Sequence, residues 1–78
     1  MRRSDRPQFA LGKAVRQLRE ARGMTQEALA QDAGVTTATL SLIERGQANP
    51  TWDTLKGITT GLESSMGELG TLADKLDS

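Results

Sequence analysis

Between residues 26 and 45 two short stretches with helical patterning, QEALAQDA and TATLSLIER, are separated by about three residues, with a glycine at the break. No other feature limits the possible folds of this chain as strongly. A connection that short does not close an antiparallel hairpin comfortably and favours two helices that cross at a wide angle. Gly34 supplies the positive φ that a left-handed helix stop requires. Thr36 follows as an N-cap, because its hydroxyl can accept an orphan N–H of the next first turn. Ala30 is small where the later helix must pass close over the earlier one. Leu29, Ala33, Val35, Leu40 and Ile43 then form the packed inside of the pair.

The remainder of the chain is also helical in pattern. Residues 8–22 carry Leu11, Val15, Leu18 and Arg22 at helical spacing, with Ala14 and Ala21 beside that stripe and Gly23 as a stop. Lys13, Arg16 and Arg19 fall on the other side. Thr25 caps helix two, and Gly46 stops helix three. After the loop QANP, Thr51 caps helix four, WDTLKGITTGL, with Trp52, Leu55, Ile58 and Leu62 apolar. Trp52 is expected as a core anchor, ahead of a role at an interface or in stacking on nucleic acid. Gly57 and Gly61 each weaken helix four by roughly 1 kcal/mol relative to alanine, and Gly61 reads as a place where another helix comes close. Ser65 and Glu68 make a capping box for helix five, which shows Met66, Leu69, Ala73 and Leu76 on one side. Strand patterning is absent, since β-branched residues are few and never alternate. The expected architecture is all-α: one compact five-helix bundle over residues 8–78. Residues 1–7, MRRSDRP, are expected as a flexible basic arm, with or without a role.

Composition narrows the chemistry. A chain of 78 residues fits one small domain with a single limited core, which a partner subunit would help to stabilise. With no cysteine there is no disulfide framework and no thiolate metal site. With no histidine the usual general base and the commonest metal ligand are missing. The carboxylates Asp32, Asp53 and Asp74 are scattered, with no glycine-rich phosphate loop beside them, so an enzyme is not expected. No metal, cofactor or small-molecule ligand is expected either. No run approaches ~20 apolar residues, so no membrane span is expected, and no apolar run follows the basic start as in a secretory signal. A cytoplasmic protein is the default. The formal net charge is zero, but its distribution is uneven. Residues 1–22 hold seven basic and two acidic residues, a net of +5; residues 23–78 hold three and eight, a net of −5. Such asymmetry marks a basic face or arm.

With these features in view, the chain resembles the phage-repressor and Cro-like helix-turn-helix family of bacterial and phage regulators. LGKAVRQLREARGMTQEALAQDAGV and IERGQANPTWDTL match its pattern, and the likeness runs from Leu11 to about Leu69. The resemblance implies a lambda-repressor-like bundle in which helix three lies in the major groove of DNA and helix two crosses above it. It implies base-edge contacts from Thr36, Thr37, Ala38, Ser41 and Leu42, on the outward side and tip of helix three. Here the sequence departs from its relatives, which often carry Gln, Arg, Lys, Asn or Tyr on this face. Hydroxyls, a methyl group and a leucine discriminate less than a bidentate arginine, so specificity per subunit is expected to be modest. The remainder would come from dimerisation, the arm or DNA shape. Phosphate contacts are implied for Gln26, at a helix N-terminus suited to anions, and for Arg45, Gln47 and Asn49 at the end of helix three and in its loop. For Gln26 and Arg45 a plain surface role stays open, as it does for Lys13, Arg16 and Arg22. Arg2, Arg3 and Arg6 are candidates for a groove. The resemblance also implies that Arg19 pairs with Glu44, a structural role. Glu63 stands where the family more often has glycine, leaving open whether that turn keeps its usual form.

The function these readings imply is a sequence-specific regulator of double-stranded DNA acting as a homodimer, a repressor or autoregulator. The size suits a restriction–modification controller or an antitoxin, with no room for a ligand domain. Met66, Leu69, Leu72 and Leu76 are a candidate dimer surface, the alternative being that they only pack on the bundle. The competing function is a protein-interaction module that keeps the fold, with Leu42 as a protein contact.

Overall fold

The computed structural model of the chain describes residues 7–77. Among them are five helices and no strand: α1 Pro7–Ala21, α2 Gln26–Ala33, α3 Thr37–Glu44, α4 Trp52–Gly61 and α5 Met66–Asp77. The expected arm lies outside the described residues except for Pro7, which opens α1. Proline suits a first helical position, where its missing N–H costs no hydrogen bond and its φ is already helical.

The helix starts follow from short-range chemistry. Thr25, Thr36 and Thr51 each sit in extended backbone and accept a hydrogen bond from the N–H three residues on, at 3.0–3.1 Å. The capping box is reciprocal: Glu68 N–H donates to Ser65 Oγ and Ser65 N–H donates to Glu68 Oε1, both at 3.0 Å. The α2 stop is left-handed at Gly34, with φ of 74°. The turn after α4 keeps the same form without glycine. Glu63 takes φ of 53°, and the N–H groups of Glu63 and Ser64 return to the carbonyls of Thr60 and Thr59. The two backbone bonds hold a left-handed residue that carries a Cβ.

Every helix contributes to one core of Ala14, Val15, Leu29, Ala30, Leu40, Ile43, Ile58, Leu62 and Leu69. α1 packs on α3 and α5, α2 on α3 and α4, and α4 also on α5. Glycines set how closely several of these pairs approach. A Cβ on Gly12 would run into the Ile43 carbonyl oxygen and lie 2.8 Å from that of Glu44, so α1 crosses α3 with backbone against backbone. A Cβ on Gly57 would lie 2.8 Å from the Ala33 carbonyl oxygen, and one on Gly61 2.9 Å from Leu29 Cδ1, which is the close approach expected at Gly61. Gly46 holds the ring of Phe9 where its own side chain would be.

Three readings of the sequence change. Trp52 is 63% exposed instead of anchoring the core. Leu55, Ile58 and Leu62 define the inward stripe of α4, and Trp52 lies about 90° round the helix from its centre, in a first turn with no earlier turn beside it. Arg19, placed by periodicity among the solvent-facing cations, is 9% exposed. Arg22 and Ala21, placed on or beside the α1 stripe, are exposed at its end, while Ala10 is buried at its start. In the α5 stripe Leu69 is in the core, Leu72 and Leu76 are half-buried against it, and Met66 is half-buried, so the stripe packs on the bundle and keeps a partly exposed apolar edge.

Two alanine substitutions separate close approach from helix propensity. Gly12→Ala is expected to destabilise the fold by about 2 kcal/mol or more, because the added methyl meets a backbone carbonyl that cannot move alone. Gly70→Ala, with open space around the added carbon, is expected to stabilise it by up to about 1 kcal/mol. Urea unfolding measures both, and equal effects would contradict the backbone contact between α1 and α3.

Candidate nucleic-acid interface

The outward face of α3 follows from its inward one. Leu40 and Ile43 are fully or almost fully buried, at 0% and 2% exposure. Thr37, Ala38, Ser41, Leu42 and Arg45 then fall within about 140° of one another on the other side. Ala38, Leu42 and Arg45 are exposed, and Thr37 and Ser41 half-buried. Leu42 is one of two exposed large hydrophobic residues among those described, at 37%. Arg45 ends the helix, and its Nε donates back to the Ser41 carbonyl at 3.3 Å. Thr36 stands at the tip with its hydroxyl engaged: it accepts from Thr39 N–H and donates to Thr39 Oγ1 at 2.9 Å. Gln47 and Asn49 are exposed in the following loop, where Gln47 N–H closes onto the Leu42 carbonyl at 2.8 Å.

At the inner end of α3 lies a polar cluster that joins three helices. Glu44 is 6% exposed and accepts two hydrogen bonds from Arg19 of α1: Nε at 2.7 Å on Oε2 and Nη2 at 3.1 Å on Oε1. This side-on, two-point geometry is the strongest form of a carboxylate–guanidinium pair. Arg19 Nη1 donates to the Met24 carbonyl in the turn between α1 and α2, at 2.8 Å. Gln26, the first residue of α2, donates through Nε2 to Glu44 Oε1 at 3.0 Å. The expected Arg19–Glu44 pair is therefore present, and one carboxylate also holds the residue expected to meet a phosphate. The Gln26–Glu44 bond is not evident from sequence. Its only signal is that the Gln and Glu of the family pattern both occur here.

The Arg19 guanidinium is held above the usual arginine range, first by its hydrogen bond to Glu44 and then by the attraction of Glu44, Glu20 and Glu27, against the opposing effect of burial. A group with a raised folded pKa contributes stability that is complete below its unfolded pKa and lost only as pH rises through the folded value. For Arg19 that window lies beyond the ordinary arginine range, so its half of the pair stays charged through neutral and moderately alkaline solution. Elsewhere on α1, Arg16 pairs with Glu20 at 3.2 Å in an exposed i,i+4 bridge, worth no more than a few tenths of a kcal/mol.

Among the described residues no group of three His, Cys, Asp or Glu side chains is arranged to hold a metal ion. No described helix is long and apolar enough to cross a membrane. The features on the surface are thus a helix face open to solvent, a helix start beside its inner end, and a polar loop.

The chain matches a family model described as a helix-turn-helix domain over residues 10–72. It is 44% identical over 52 residues to the HTH-type transcriptional regulator SutR of Escherichia coli (strain K12), a match covering 67% of this chain and 29% of SutR. The chain thus spans less than a third of that relative's length. Among solved structures it is similar to the clp gene regulator ClgR from Corynebacterium glutamicum, with a TM-score of 0.89, 28% identity and 92% coverage of each chain. It is also similar to the restriction–modification controller protein C.AhdI from Aeromonas hydrophila, with a TM-score of 0.77, 32% identity and coverage of 80% of this chain and 94% of that one.

Glu44→Gln keeps the shape of the cluster and removes its negative charge. The expected loss of stability is about 3–5 kcal/mol, because a buried guanidinium is left without its counter-charge. Thermal and urea unfolding check it, and an unchanged midpoint would remove the pair from the account.

Proposed function

From the premise that the chain belongs to the helix-turn-helix domain family of transcriptional regulators, we propose that it binds double-stranded DNA sequence-specifically, as a homodimer, and regulates transcription without catalysing a reaction. The observation that carries this reading is the free outward face of α3, backed by a two-helix unit whose inner residues are buried. Thr37, Ala38, Ser41 and Leu42 read base edges in the major groove, with Thr36 at the tip. Thr and Ser hydroxyls accept or donate, and the methyl groups of Ala38, Thr37 and Leu42 pack on thymine methyls. Gln26 presents the N-terminus of α2 to a phosphate, with its side chain steadied by Glu44. Arg45, Gln47 and Asn49 grip the backbone at the other end of α3. The SutR, ClgR and controller likenesses support the regulatory role. A regulator of this kind works in the cytoplasm, where its DNA is.

A second reading has an observation in its favour. The face of α3 carries one cation, Arg45, and an exposed leucine, a composition suited to a protein partner as well as to DNA. Salt separates the two. DNA binding should weaken with a log–log slope of about −0.9 per phosphate neutralised, whereas absence of binding to mixed duplex fragments at low salt would favour the protein partner. On sites selected from genomic fragments, Thr37→Ala is expected to relax preference at one base position. Arg45→Ala is expected to weaken all sequences alike and reduce the salt slope by about 1. The reverse pattern would show the groove assignment to be wrong.

A further inference from the structure

Sulfur enters this chain only as thioether: it has no cysteine, and its methionines are Met1, Met24 and Met66. Met1 lies outside the described residues. Met66 opens α5 and is half-buried. Met24 stands between α1 and α2, half-buried and packed against the core. It also lines a surface cavity of about 380 Å³ with Arg22, Asp32, Gly61 and Glu63. Arg22, Asp32 and Glu63 are exposed, and the cavity is many times the ~30 Å³ that one water molecule occupies, so small polar molecules reach its wall. The backbone of Met24 belongs to the buried polar cluster. Its carbonyl accepts from Arg19 Nη1 at 2.8 Å, and its N–H donates to the Arg19 carbonyl at 3.1 Å. Two residues on, Gln26 donates to Glu44. One residue thus ties the turn to the core by its side chain and to the Arg19–Glu44 pair by its backbone.

We propose that Met24 is a modification site: hydrogen peroxide reaching it through the cavity converts its thioether to the sulfoxide and releases the turn between α1 and α2. A sulfur lone pair attacks one peroxide oxygen, the O–O bond breaks, and the other oxygen leaves as water after proton transfer. Sulfur loses two electrons and the peroxide gains them. The product is polar where the thioether was apolar. Its oxygen against the core would lack a hydrogen-bond partner, whereas the cavity offers it water. Turning towards that water withdraws the side chain from the core and pulls on the backbone that holds Arg19. The start of α2 and the end of α3 then lose a common anchor. Both border the proposed DNA interface, so oxidation weakens DNA binding, a consequence that alone rests on the proposed function. Packing by itself does not call for sulfur here, since leucine fills nearly the same volume.

The folded full chain is treated with hydrogen peroxide, and peptide mass spectrometry follows the gain of one oxygen at Met24 and at Met66. Samples from the same time course are unfolded in urea and read by amide hydrogen exchange. Met24 is expected to oxidise within about 30-fold of its rate in the urea-unfolded chain. The unfolding midpoint should fall in step with the Met24 sulfoxide, and amide protection over residues 22–29 should drop about tenfold or more. Methionine sulfoxide reductase with a thiol reductant should restore both. Met24→Leu should keep its midpoint under the same dose, whereas Met66→Leu should lose it as the parent chain does. Slower oxidation of Met24 would overturn the proposal, because the cavity would then give no access. So would a Met24 sulfoxide that leaves midpoint and exchange unchanged, or an equal loss of stability in Met24→Leu. All readouts are taken without DNA, so their failure leaves the DNA-binding reading to be judged by salt-dependent binding.

Discussion

The Glu44 carboxylate holds the structure together at the point where three helices meet. It is buried, yet it accepts from Arg19 at two points and from Gln26 at a third, so its charge is matched and its oxygens are filled. Arg19 in turn reaches the Met24 carbonyl. One cluster thereby fixes α1, the turn after it, the start of α2 and the end of α3. A buried ion pair is not a cheap way to stabilise a fold, since apolar side chains of the same volume often do as well. What it adds here is position. The apolar core sets which faces turn inward and packs them closely, and the two-point guanidinium bond adds a fixed direction to the approach of α1 and α3.

Position matters because the edge of the cluster is the edge of the proposed DNA interface. Gln26 belongs to both, donating inward to Glu44 while it opens α2 at the surface. Rigid support of this kind is what the proposed reading residues would need. The face of α3 offers hydroxyls and methyl groups, which discriminate bases less than a bidentate arginine. The electrostatics agree. The positive end of the chain is less positive in effect than its net of +5 suggests, because Arg19 is matched inside by Glu44, which belongs to the acidic part of the sequence. On the proposed function, non-specific attraction to DNA would then be weak, and the proposed association between copies would contribute correspondingly more to binding.

Much of this architecture is legible in the sequence, for physical reasons that can be named. Caps and stops are local chemistry, so Thr25, Thr36, Thr51, Gly34 and the Ser65–Glu68 box mark the helix boundaries directly. The stripes of α2, α3 and α5 give their buried faces. The reading fails where a residue's environment is set by distant parts of the chain. Trp52 fits the α4 period loosely, and composition favours burying an indole, but it lies about 90° round the helix from the centre of the inward stripe and stays 63% exposed. Arg19 looks like a surface cation until its partner, 25 residues away, is brought beside it. Only the family likeness, not the periodicity, pointed to that pair. Gly12 attracts no notice in a helical pattern, although a missing methyl there lets α1 and α3 touch. Glu63 shows the converse: a residue type that argues against a left-handed turn is held in one by two backbone hydrogen bonds. The residues of the α3 face are where the helix period puts them, and their roles on DNA rest on family likeness.

Arg19 and Glu44 act as one coupled unit in positioning the helices. A double-mutant cycle across Arg19→Met and Glu44→Leu, read by urea unfolding, tests it most directly. Each single change strands a buried charge and should be strongly destabilising, while the double change removes both charges and should cost much less than the two together, with a coupling of about 2 kcal/mol or more. Single effects that add to within about 0.5 kcal/mol would mean that the two residues act independently, and would contradict the account.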